Sequence, residues 1–385
     1  MRVVEYVKQK TSPEIRYILL LFITTRLLLA IVGVSSRIIL EPVYGKWHEW
    51  NFSKHLWLDI WGVWDTGWYL DIAKNGYSTT LVSDLPKKVG PNQVNLGFFP
   101  FYPLLIKGLA FFTKDYFIAG VLISNIALFA SSLFLFKLVK KKSGKAIAQR
   151  AVKYLFLFPT AFILSGVFSE PLFLALLLVT FYYAKEKNWL VVGICGFFLS
   201  LTKSSGVLVF LPLLYEYLRQ SRFNLRNIKS NFLYLFLVPL GLLTFMGYTY
   251  SVFGDWFAYG HVKSIGWGVG LTNPLPIILG FLLSGNSSLT IIGLFILIEI
   301  LLLVLFYKKV DPIFLVWAIL FLSISLVSGP EVATSIPRFS VVIFPLFILL
   351  AKLTKRAYLD SLTTIFLALF QGFLFVYWVN GALIV

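Results

Sequence analysis

The chain is poor in cysteine, histidine and acid. Its 385 residues include one cysteine, Cys195, three histidines, and 17 acidic residues against 34 basic ones. A single thiol excludes an internal disulfide and leaves the redox compartment unreported. His48, His55 and His261 show no metal-ligand spacing, so nothing points to a zinc centre. There is no GxxxxGK[ST] phosphate loop and no GxGxxG fingerprint, which removes the common nucleotide-binding readings. Charge is scarce at 13%, against about a quarter in an ordinary soluble chain. The chain also lacks a convincing internal repeat and any low-complexity segment. The missing repeat counts against a secondary transporter, since many of those are built from repeated halves.

What fills the chain is apolar. Hydrophobic residues make up 58%, and the mean hydropathy is +0.84. They fall in blocks near membrane-span length. The length would allow two or three soluble domains, but the blocks point to one polytopic membrane domain over 1–385. A net charge of +17 invites a nucleic-acid reading. That reading fails because most basic residues sit in short turns between apolar blocks, where they act as an orientation signal. The basic start followed by an apolar stretch over 17–34 could mimic a signal peptide. With many spans behind it, it reads as an uncleaved first helix.

The candidate spans are 17–34, 115–136, 151–168, 171–184, 189–202, 206–218, 231–252, 287–306, 312–328, 339–351 and 358–380. Between them, segments 1–16, 137–153, 185–187, 219–229, 307–309 and 352–356 hold 22 of the 34 basic residues. The positive-inside rule puts all six on the cytoplasmic side. The chain must then cross an odd number of times between 34 and 137, and again between 252 and 307. One span in each interval suffices. The apolar stretches 98–112 and 275–284 are therefore expected to be interfacial or re-entrant. The expectation is an all-α, polytopic transmembrane helical bundle of about eleven spans. Its N-terminus is cytoplasmic and its C-terminus outside.

On the outer side this leaves a long first loop over 35–97, extended to 114 by the interfacial stretch, a loop over 253–286, and short turns near 168–170, 203–205 and 329–338. The first loop carries Trp47, Trp50, Trp57, Trp61, Trp64 and Trp68. Trp concentrates at membrane–water interfaces. On a helix, Trp61, Trp64, Trp68 and Ile72 share a stripe with Asp65 and Tyr69 at its edge, which predicts an interfacial helix.

Four charged residues fall in these outer segments: Asp65, Glu170, Lys203 and Arg338. Asp65 is a candidate general base, or else a helix N-cap or solvated acid. Asp71 has the same capping and solvated alternatives. Glu170 in Ser169-Glu170-Pro171 could simply open a helix. Its very short turn also places it near the hydrocarbon boundary, where acids face the protein interior. Lys203, followed by Ser204, is either a snorkelling lysine or a phosphate partner. Arg338 is an interfacial anchor or a bidentate phosphate grip. Arg26 and Glu299 fall within spans, where an isolated charge is costly and a partner is expected. They could pair with each other, or Arg26 could reach a lipid phosphate. A divalent ion at Asp65 or Glu170 stays open without support from any ligand spacing, and no cofactor is expected. Without a nucleotide fold, the energy for chemistry is expected to arrive on an activated lipid.

An ordered set of motifs carries a resemblance. It comprises Trp64-Asp65 with Gly76-Tyr77, Phe98-Phe99-Pro100-Phe101-Tyr102-Pro103, Phe158-Pro159-Thr160, Ser169-Glu170-Pro171-Leu172-Phe173, Thr202-Lys203-Ser204-Ser205-Gly206 and Pro337-Arg338-Phe339. From about residue 60 to 345 the chain resembles integral-membrane glycosyltransferases of the GT-C class. Within that class it is most similar to the family of the second GPI mannosyltransferase and its prokaryotic relatives. Where that family more usually shows a Thr-Arg-Ser-Asn-Gly-like run, this chain has Lys203 and Ser205.

The resemblance implies transfer of a sugar, with mannose expected, from a polyprenyl-phosphate donor to a lipid or glycolipid acceptor. The reaction would take place on the extracytoplasmic face of a prokaryotic plasma membrane. By matching position, Asp65 would be the base and Glu170 would position the acceptor or share acid–base work. Lys203 and Arg338 would stabilise the leaving phosphate, with Arg26 a further phosphate candidate. Trp64, Trp68, Tyr69, Asp71, Phe99, Tyr102, Ser169 and Ser204 would line the pocket. Membrane lipids are expected partners and nucleic acid is not. The rival readings are a flippase or transporter for a lipid-linked glycan, and a non-catalytic subunit of a glycosylation complex.

Overall fold

A computed structural model describes residues 12–40, 51–78 and 94–381. Trp47, His48 and Trp50 lie outside them. The described residues are helical, in α- and 3-10 segments, with no strand among them. Five helices are long and apolar enough to cross a membrane: Pro13–Ile39, Tyr116–Leu157, Ser230–Phe253, Ser287–Lys309 and Ala357–Val379. A sixth candidate is the pair Ile336–Val342 and Pro345–Leu353, bent by 80°. Helices also form over Glu170–Lys185, Trp189–Thr202, Phe210–Gln220 and Pro312–Val327. Each is shorter than the roughly 20 residues of a perpendicular span. The stretches expected to be interfacial form helices of 13 residues (Phe101–Thr113) and 10 residues (Pro274–Leu283).

Element boundaries differ from the hydropathy blocks for local reasons. The first helix starts at Pro13, capped by the Ser12 hydroxyl, and runs five residues past the expected end. The basic segment 137–153 joins two helices, which extend into it from either side and meet at Gly144. Gly144 (φ 81°, ψ 169°) breaks the run from Tyr116 to Leu157, a backbone conformation that suits glycine. The block 151–168 ends its helix at Leu157, because Pro159 removes a donor and forces Phe158 extended. The chain then turns through Ala161–Ser165.

The carbonyls orphaned at that break are taken up by two buried side chains. Arg26 donates to the Phe156 and Ala161 carbonyls at 3.3 and 3.1 Å and to Ser165 Oγ at 3.1 Å. Gln371 donates to the Phe156 and Phe158 carbonyls at 3.0 and 2.8 Å. A cation at a helix C-terminus is favourable, so Arg26 has its partner in the fold. Among the described residues it forms no ion pair with Glu299.

The six basic segments meet in space. Lys140 and Lys145 pair with Glu14, Lys141 with Glu186, and Lys142, Lys185 and Arg219 with Asp311. Lys352 donates to the Lys309 carbonyl and Arg150 to that of Lys355. Lys153 and Arg150 share Asp360. Asp65, Glu170, Lys203 and Arg338 belong to a separate cluster described below.

Small residues bring the helices into contact. A Cβ on Gly241 would collide with the Phe197 carbonyl, and one on Gly193 with the Tyr234 carbonyl. Close backbone approach through glycine is a usual packing device between apolar helices, where no hydrophobic force acts between them in lipid. Gly241→Val should therefore cost about 1–3 kcal/mol and lower the midpoint of thermal unfolding in detergent. Gly280→Ala, which meets open space, serves as control. Equal midpoints for the two variants would refute this packing account.

Candidate active site

The turn before helix Thr66–Asn75 sets the site. Trp64 adopts φ +50°, a left-handed conformation costing about 1–2 kcal/mol for a residue other than glycine. The helix begins only at Thr66, so the stripe expected from Trp61 through Ile72 does not lie on one helix. Trp61 and Trp64 precede it in the turn. The Thr66 hydroxyl donates to the Val167 carbonyl, and the Val167 amide donates to the Trp61 carbonyl. These two bonds fasten the Asp65 turn to the turn carrying Glu170. Thr160 Oγ1 donates to the Pro337 carbonyl at 2.7 Å and so anchors the residue beside Arg338.

Asp65 occupies the N-cap position of its helix but caps nothing with its side chain. Its backbone is αR (φ −63°, ψ −14°), whereas a capping side chain needs the extended conformation. The carboxylate instead accepts from Arg338 Nη1 at 2.7 Å. Arg338 Nε lies 3.5 Å from Glu170 Oε1, and Lys203 Nζ donates to the same oxygen at 3.1 Å. Four charges distant in sequence thus alternate in sign in one cluster.

Glu170 is almost wholly buried, with 3% of its side chain exposed, and Arg338 and Asp65 are 15% and 21% exposed. Aromatic rings close round the cations. Lys203 Nζ stands 3.8 Å above the Phe339 ring, and the Arg338 guanidinium stands 4.9 Å from Phe339 and 5.6 Å from Phe168. Burial alone would raise the Glu170 carboxyl, but Lys203 and Arg338 outweigh it and hold it below the usual range. Burial holds the Lys203 ammonium below its ordinary range, and Glu170 offsets this only in part.

The other expected residues divide. Tyr69 donates to Ser169 Oγ at 2.8 Å, and Ser169 donates weakly to Glu170 Oε2 at 3.5 Å. Burial, with Glu170 and Asp65 adding to it, pushes the Tyr69 phenol well above its ordinary range. Tyr69 therefore stays a donor at the rim of the cluster. Trp68 stacks on Phe98 with ring centroids 5.7 Å apart and meets Trp267 edge-on. Ser204 Oγ and Tyr259 Oη are 3.2 Å apart. Phe99 packs against Phe245 and Tyr259 and borders a cavity of about 120 Å³ with an almost wholly apolar lining.

Three residues are employed elsewhere. Tyr102 is fully buried and bonds the Gly120 carbonyl and Ser124 in the core. Asp71 accepts from Asn75 and Asn95, both at 2.7 Å, and so ties the segment at Asn95 to the helix. Arg26 serves the broken helix at Phe156–Ala161 and takes no part in the charge cluster.

Sequence reasoning missed Lys263, on helix Ala258–Trp267. Its ammonium stands 4.0 Å over the Trp267 ring and 4.8 Å from that of Phe98. Burial lowers it to about 8, with Asp65 opposing and Arg338 and Lys203 adding. The available signal was a lone lysine among aromatics in an outer segment. Gly97 permits the arrangement, since a Cβ there would come within 2.7 Å of the Trp267 ring.

Two outcomes follow from this geometry. In a double-mutant cycle, Asp65→Ala and Arg338→Ala should show a coupling of about 1–3 kcal/mol by thermal unfolding in detergent. Additive losses would dissolve the pair. Lysine acylation followed against pH by mass spectrometry should find Lys263 charged below about 8 and neutral, hence reactive, above it. Reactivity rising only near pH 10, as for an ordinary lysine, would contradict the site's polarity.

Comparison of the sequence with protein-family profiles and with curated proteins gives no match. Among solved structures, the chain is similar to two crystal structures of the Archaeoglobus fulgidus oligosaccharyltransferase. The apo form gives a TM-score of 0.45 at 14% identity over 94% of this chain and 56% of that one. The complex with Zn and sulfate gives 0.46 at 15% identity over 93% and 53%. The chain spans about half the length of these structures, and likeness at this level does not fix a shared activity.

Proposed function

We propose that this protein is an integral-membrane glycosyltransferase that moves a sugar from a polyprenyl-phosphate donor to a lipid or glycolipid acceptor, at the membrane face opposite its basic segments. Mannose is the sugar the motif resemblance favours. The observation that carries the reading is the Asp65–Arg338–Glu170–Lys203 cluster. It gathers two carboxylates and two cations at one buried point, in a chain with several helices fit to cross a membrane, and Ser204 next to Lys203 meets Tyr259 at the edge of an apolar cavity.

The chemistry follows from those groups. An acceptor hydroxyl attacks the sugar C1 while Asp65 takes its proton. The bond from C1 to the phosphate oxygen breaks, and the electron pair leaves with the lipid phosphate. That group gains one negative charge, which preorganised cations stabilise in a water-poor site. Arg338 orients the Asp65 carboxylate, and Glu170 holds Lys203 and Arg338 in place. Tyr69 and Ser169 fix the Glu170 side of the cluster. The carrier alternative needs charged groups near the middle of several spans. Of its two candidates, Arg26 is engaged with main-chain carbonyls.

Purified protein given a panel of polyprenyl-phosphate sugars and total membrane lipid should form a glycolipid. Asp65→Asn should lower turnover by about 10²–10⁴-fold, the usual worth of a general base, a loss far larger than any fall in the folded fraction at the assay temperature. Undiminished turnover by the variant would remove Asp65 as the base.

A further inference from the structure

Lys203 and Arg338 are the cations that the sequence offers to a phosphate, yet both already have carboxylates. Lys203 is bonded to Glu170 at 3.1 Å, and Arg338 to Asp65 at 2.7 Å. Either would have to give up a buried partner to take another anion, and a charge left unpaired in such surroundings is costly. Lys263 differs. Among the described residues its ammonium has aromatic faces but no carboxylate within ion-pair distance. It is close enough to Asp65, Arg338 and Lys203 to feel all three. With Asp65 and Glu170 ionised and Lys203, Arg338 and Lys263 protonated, the five groups carry one net positive charge, and Lys263 supplies it. That surplus matches the single charge of a phosphodiester and meets the extra charge that develops when it leaves as a monoester.

The same helix also borders the apolar cavity. Tyr259 and Gly260 line it together with Phe99, Phe245 and Trp256. Lys263 lies four residues after Tyr259, on the same face one turn further along. A cation and an apolar cavity one helical turn apart suit a phosphate joined to a hydrocarbon chain. We propose that Lys263 captures the phosphate of the donor lipid and that the cavity beside Tyr259 takes the first units of its chain. Lys203 and Arg338 then act as positioning residues for the two carboxylates. This assignment rests on the glycosyltransferase reading for the donor's identity, but the binding it describes can be measured without any transfer.

The test is equilibrium binding of radiolabelled farnesyl phosphate to the full chain in detergent, with farnesol and inorganic phosphate as the other probes. Lys263→Gln should weaken farnesyl phosphate by about tenfold or more, as expected for loss of a charge-assisted contact, and leave farnesol unchanged. Lys263→Arg, which keeps the charge and the aromatic contact, should restore most of the affinity. Gly260→Leu, which meets open space, should weaken farnesyl phosphate but not inorganic phosphate. Equal affinity of wild type and Lys263→Gln for farnesyl phosphate would overturn the assignment. So would inorganic phosphate binding as tightly as farnesyl phosphate, which would mark a free-phosphate site. Lys263-dependent binding in a protein that transfers no sugar from any donor would uphold this assignment and reject the glycosyltransferase reading.

Discussion

The arrangement depends on one buried constraint: Glu170 cannot stay ionised in an apolar bundle without Lys203 and Arg338 beside it. Moving a carboxylate out of water costs several kcal/mol even after relaxation, and only well-placed opposite charges offset it. Glu170 has two cations on one oxygen, and Arg338 extends the chain of charge to Asp65. The Asp65 turn, the Glu170 turn, the end of helix Trp189–Thr202 and the short helix Ile336–Phe339 are drawn together at this point. The hydrogen bonds from Thr66 and Thr160 hold the main chain of those turns in register.

Most ion pairs among the described residues fall into two separate sets. One set is rich in lysine and arginine and is bound by Glu14, Glu186, Asp311 and Asp360, with the six basic segments all contributing. The other is the compact cluster at Asp65, wrapped in aromatic rings. Aromatic faces attract cations without neutralising them. Phe98 and Trp267 can therefore shelter Lys263 from water while leaving its charge available to an anion. An aromatic-lined cation beside an apolar cavity suits an amphiphile better than a soluble phosphate.

Arg26 illustrates how a charge inside an apolar helix can be structural. Pro159 breaks the helix that ends at Leu157 and leaves carbonyls without partners. Arg26 and Gln371 reach those carbonyls from two other helices. The guanidinium is thereby held by oxygens of the fold itself, and an intramembrane charge carries no ligand by virtue of its rarity alone.

The sequence by itself determined the helical architecture, the grouping of the basic segments and the identity of the four charges that meet. Those features follow from the length of apolar runs, the rarity of charge within them and the few polar side chains left between them. Periodicity could not determine where helices begin. Trp64 and Pro159 interrupt apolar stretches through backbone conformation, which a hydropathy pattern does not register. Nor could it assign partners. Asp65 stands at an N-cap position yet faces Arg338, Tyr102 and Asp71 turn to structural bonds, and Lys263 joins the cluster from a helix about two hundred residues downstream of Asp65. Only tertiary structure decides which cation is matched by a carboxylate and which is left over, because Coulomb energy depends on separation in space and on the dielectric around each charge. Neither quantity is written in the order of residues.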